Sequence, residues 1–140
     1  MADVIYNSFK QKIMDGSIDL DTDDIRVALV TSSYTPSQDD HEDYADITNE
    51  VTGTGYTAKG ALLADGAVTK DNTDNEGVFD ATDVTWTSST ITARGAILYK
   101  DSGTAATSWF IAYFDFAEDK TSTDGDFKIT WATEGIVNLG

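Results

Sequence analysis

The sequence predicts a mainly β protein, an antiparallel β-sandwich or jelly roll carrying a short N-terminal α-helix. Three observations lead there. Phe127-Lys128-Ile129-Thr130-Trp131 alternates apolar and polar residues, and a period of two puts Phe127, Ile129 and Trp131 on one face of a half-buried strand. About eight apolar or β-branched segments follow one another at short intervals, separated by Asp-, Asn-, Ser- and Gly-rich turns. Near the start, Ile5, Phe9 and Ile13 recur every four residues, the spacing of one apolar helix face.

Taken in order, Asp3 can cap a helix over Val4 to Asp15, and Gly16 suits the position just past its end. Asp19 to Asp24 is a polar connection into Ile25-Arg26-Val27-Ala28-Leu29-Val30-Thr31, whose β-branched run predicts a buried, interior strand. Ser32 to Asp43 reads as a surface loop: it holds the single proline, Pro36, with Tyr34 and His41 standing isolated in it. A short helical or extended piece is expected at Tyr44 to Asn49. Gly53, Gly55 and Gly60 around Tyr56 point to bulges or turns. Further strands are expected at Ala67 to Lys70, Gly77 to Ala81, Val84 to Thr87, Ile91 to Lys100, Ser108 to Ala117, Phe127 to Ala132 and Ile136 to Leu139. Between them, Asp71 to Glu76, Asp101 to Ala106 and Glu118 to Gly125 carry turn chemistry, with Asp124-Gly125 as a tight hairpin corner. No repeat and no linker divides the chain, so one domain is expected over residues 1–140, with the helix in 1–16 and the sandwich in 17–140.

Composition narrows the partners. Nine Lys plus Arg against twenty-five Asp plus Glu give a formal charge of -16, which repels a phosphate backbone and an anionic membrane surface alike. Direct nucleic-acid and membrane binding are therefore disfavoured, and proteins or cations are the expected partners. With no cysteine there is no disulfide or thiolate chemistry to consider. The first residues lack a basic stretch followed by a long apolar one, and the longest strongly apolar run, Trp109 to Phe114, is about a third of a membrane span. The expectation is synthesis in the cytoplasm without a signal peptide.

Candidate chemistry is sparse. Asp19-x-Asp21-x-Asp23 opens like a calcium loop, but Asp24 stands where that loop needs glycine and Val30 where a closing Glu belongs. Asp71 to Gly77 is as rich in oxygens, with its glycine one place late; a solvated turn is the simpler reading of both. His41 is the one side chain that ordinarily titrates near neutrality. It is flanked by Asp39, Asp40, Glu42 and Asp43 and has no Gly-x-Ser-x-Gly elbow to serve. No pair of acids stands out as a glycosidase couple. Trp86, Trp109 and Trp131 could stack sugars, yet each falls in a predicted strand, where core packing is commoner. Gly53-Thr54-Gly55 lacks the lysine and third glycine of a phosphate loop. No catalytic, metal or cofactor residue is assigned, and no cofactor is expected.

Several phrases resemble a family of small virion proteins of tailed bacteriophages: Ile5-Tyr6-Asn7-Ser8-Phe9-Lys10, Val27 to Pro36, Glu50 to Tyr56, Val84-Thr85-Trp86, Thr90 to Ala96, Tyr99-Lys100-Asp101 and Ile111 to Phe116. The resemblance spans nearly the whole chain and includes no catalytic signature. It implies a non-enzymatic structural component of the virion. The expectation is a capsid decoration or cement protein that stabilises the head, forms a small homo-oligomer and binds the major capsid protein or other virion proteins, with many weak contacts multiplied by avidity. The alternatives are a tail or head-tail junction component and, from another class, a carbohydrate-binding module. Phe9, Tyr34, Pro36, His41 and Tyr44 are the expected interface residues, because contacts should come from parts outside the strands and aromatics are enriched at binding hot spots. Deleting residues 32–43 is then expected to leave a folded domain that no longer joins particles.

Overall fold

Two antiparallel sheets and one short helix make up the computed structural model, which describes residues 3–140. The strands are β1 (Val4–Ile5), β2 (Ile25–Val30), β3 (Ala61–Leu62), β4 (Ala67–Asp71), β5 (Glu76–Asp80), β6 (Val84–Lys100), β7 (Phe110–Ile129) and β8 (Val137–Leu139), and the helix α1 is Asn7–Met14. The larger sheet runs β1-β7-β6-β2-β3 and the smaller β4-β5-β8. The arrangement is consistent with a β-sandwich. As expected, β2 lies inside its sheet, hydrogen-bonded to β6 on one side and β3 on the other.

The N-terminus corrects the expectation of one helix from Val4 to Asp15. Val4 and Ile5 pair with Tyr113 and Ala112 as an edge strand, a placement that β-branched residues favour. The helix starts after Tyr6, whose side chain makes no capping bond, while the Asp3 carboxylate instead accepts the Asp115 backbone N–H. The sheet thus begins before residue 17. At the other end, Gly16 at φ +79° sits just past the helix as expected.

A larger correction concerns β6 and β7, which absorb four expected strands into one long hairpin. Val84 to Thr87 and Ile91 to Lys100 are continuous, and Glu118 to Gly125, expected as a turn, lies within β7. The turn chemistry there serves bulges. The β6–β7 register shifts four times, and left-handed backbone at Ser88, Ala117 and Asp124 falls at or beside three of the irregular stretches. Ser89 sits at one, its hydroxyl bonded to the Trp86 and Gly125 carbonyls and the Ser122 hydroxyl. The expected turns at 71–76 and 101–106 do join β4 to β5 and β6 to β7.

Register explains why the large sheet has two buried faces. Val27, Leu98 and Ala112 align across β2, β6 and β7, as do Leu29, Ala96 and Phe114 one step away. These face a core shared with Phe9, Trp86, Phe127, Trp131 and the small sheet's Phe79 and Val137. The alternate residues, Ala28, Val30, Ile97, Tyr99, Phe110 and Tyr113, face a second core completed by Tyr6 and Tyr34. Ordinary alternation in an antiparallel strand leaves one face wet. Here the second face is covered by the segment after β2.

Candidate functional site

That covering segment is the stretch read as a free surface loop. Tyr34 is 4 % exposed, with its ring against those of Tyr113 and His41. Its hydroxyl hydrogen-bonds the fully buried Tyr6 hydroxyl at 2.8 Å and His41 Nδ1 at 2.9 Å. Ser37 donates its backbone N–H to the same nitrogen. Burial pushes the Tyr34 phenol up to about 12, and burial with the Tyr34 hydrogen bond drives Tyr6 higher still. His41 therefore pins a loop, and its δ nitrogen is occupied in doing so. Residues 32–43 close a core, which reverses the expectation that they can be deleted without harm to folding.

The following residues continue the lid. Tyr44 opens a short helical turn capped by Asp43, packs on Tyr99 and donates its hydroxyl to Glu50 at 2.5 Å. Glu50 also accepts from the Tyr56 hydroxyl and the Lys59 backbone N–H. The Tyr56 hydroxyl in turn accepts the Leu29 N–H of β2. One half-buried carboxylate thus ties residues 44–60 to the sheet. Gly60 makes the closest approach: at φ +74°, a Cβ there would lie 1.8 Å from the Val27 carbonyl oxygen.

The five expected interface residues separate on this geometry. Phe9 and Tyr34 are buried within the chain and are corrected from surface anchors to core residues. Pro36, His41 and Tyr44 are half-buried on the lid. Trp86 and Trp131 are buried and Trp109 is half-buried, with the Lys12 and Lys100 ammonium groups 4.6 and 5.4 Å from its ring centre. The tryptophans accordingly form no open stacking platform.

The acidic turns resolve into local hydrogen bonding. Asp71, Asp74 and Glu76 bring carboxylate oxygens within 4.8 Å of one another. Asp71 accepts the Thr73 and Asp74 N–H groups, the bonding of a tight hairpin turn, and Glu76 accepts from Asn138 of β8. Asp19 and Asp23 similarly accept backbone N–H groups of their own loop.

One surface feature that packing leaves open among the described residues is a groove of about 510 Å³ between α1, residues 16–21 and the inner face of the small sheet. Phe9 and Ile13 form one wall, Val68, Phe79, Val137 and Leu139 the other. Val68 is 47 % and Leu139 64 % exposed, and neighbouring Met14 is 87 % exposed. No motif marks it: its residues come from four separate stretches, each unremarkable alone. A signal available in the sequence was apolar residues at strand ends with nothing local to cover them.

No family model matches the chain, and no curated protein or solved structure matches it. Among the described residues, no helix is long and apolar enough to cross a membrane.

Proposed function

We propose that this chain is a non-enzymatic docking domain of a tailed-bacteriophage virion, most specifically a capsid decoration or cement protein that binds the major capsid protein or another particle component. The observation that carries the docking reading is the open apolar groove. An uncovered cluster of aliphatic side chains on an acidic domain has the character of a protein-contact surface. The particle assignment draws on the phrases that resemble small virion proteins and on the charge of -16, which suits an outer surface better than one lining packaged DNA.

Locating the chain in assembled particles tests the proposal. Copies at the symmetry axes of the head lattice are the expected result. A ring of copies around the tail axis would favour the tail or head-tail alternative, and absence from purified particles would refute a virion role. Binding on a glycan array would favour the carbohydrate-binding alternative.

A further inference from the structure

We infer that the groove between α1 and the small sheet receives a short apolar segment, flanked by lysine or arginine, from a different protein. The inference rests on the docking reading above and names the chemistry of the partner. Gly77 is its starting point. Gly77 lies in the middle strand of the small sheet, opposite Lys70 and Leu139, on the same face as Phe79 and in the groove lining. Neither usual reason for a glycine holds there. Its φ is not positive, and an added Cβ would meet nothing nearer than the Leu139 carbonyl oxygen at 4.0 Å. A glycine inside a strand leaves the sheet without a packing side chain and often marks where another backbone approaches. Here it leaves the floor of the groove unfilled beside Val68 and Leu139, which remain 47 % and 64 % exposed.

Volume and charge specify the occupant. About 510 Å³ is within the range of pockets that enclose a ligand-sized group, enough for a few aliphatic side chains. The rim is acidic. Asp19 and Asp21 line it, on a chain whose formal charge is -16. A second copy is a poor occupant, because two chains of charge -16 meeting through this face would bring Asp19 and Asp21 of each toward those of the other. Apolar side chains with cationic neighbours satisfy the floor and the rim together.

The test uses the intact chain and a display library of short apolar peptides, half with lysine or arginine flanks and half with glutamate or aspartate flanks. Selection should enrich basic-flanked members. Their affinity should fall by about tenfold or more in Val68→Asp and in Gly77→Val, which fills the floor, while thermal melts show both variants folded. Asp19→Lys combined with Asp21→Lys should shift selection toward acidic flanks. Recovery of no binder, equal enrichment of both halves, or affinities untouched by both groove variants would overturn the inference. Sedimentation showing a dimer that Gly77→Val dissociates would overturn it in favour of a second copy. Failure here leaves the particle assignment standing if the chain is found on virions; a chain absent from virions whose groove still selects basic-flanked segments sinks only that assignment.

Discussion

If residues 32–43 close the second core, replacing Tyr34 should damage the fold far from any docking surface. Tyr34→Ala removes a ring that is 4 % exposed and packed on Tyr113 and His41. Truncating a buried aromatic to alanine costs about 3–5 kcal/mol. The change also strips the Tyr6 hydroxyl of its side-chain partner in a fully buried site. We expect a loss of about 4 kcal/mol, a large share of the roughly 5–15 kcal/mol that holds a domain together, and a fall in Tm of about 15 °C. Tyr34→Phe keeps the ring and should lose about 1–2 kcal/mol. Adding Tyr6→Phe removes the orphaned hydroxyl as well, so the double variant should be destabilised by less than the sum of the singles. Equilibrium unfolding in urea, followed by tryptophan fluorescence, measures all of these. The exposed neighbour Thr35→Ala serves as the control. A Tyr34→Ala variant within about 0.5 kcal/mol of the parent would mean that the loop is solvated and the second core does not depend on it.

The remaining expectations concern pH and backbone. All six tyrosines, 6, 34, 44, 56, 99 and 113, have phenols raised chiefly by burial. A phenol raised in the fold favours the folded state fully below its ordinary value of 10.0 and loses that contribution as pH climbs from there toward about 12, the Tyr34 value. The native chain should therefore show little phenolate absorbance at a pH where the urea-unfolded chain is already half ionised; coincident titration curves would refute the burial of the phenols. Gly60→Ala should cost about 3 kcal/mol or more, because its Cβ would collide with the Val27 carbonyl at a positive φ. Gly16→Ala has a similar φ in open space and should cost only about 1–2 kcal/mol; equal losses in thermal melts would show that the close approach at residue 60 does not matter.

Much of the framework was legible in the chain. The β-branched run at 25–31, the alternation at 127–131 and the turns at 71–76 and 101–106 all appear where local periodicity and turn chemistry put them. Gly16 ends its helix for the reason glycine usually does. The errors share a cause. Asp124-Gly125 and the polar stretch before it satisfy a bulge as well as a corner, and only the partner strand β6 distinguishes the two. Ile5 fits a helical face by spacing with Phe9 and Ile13, and β7 claims it with Val4 as an edge. Tyr34 looks isolated because Tyr6 and Tyr113, which it packs beside, lie far away in the chain, and His41 is drawn in through Tyr34.

By itself the sequence determined the class of the protein: a period of two, β-branched segments and frequent turns yield antiparallel strands, and an excess of carboxylates yields an acidic surface, since both follow from side chains and near neighbours. The tertiary structure decided which faces are covered. Whether a loop is a lid, a phenol lies in a core or a glycine leaves a groove open depends on what arrives from distant parts of the chain, and burial is a property of that meeting rather than of any residue in it.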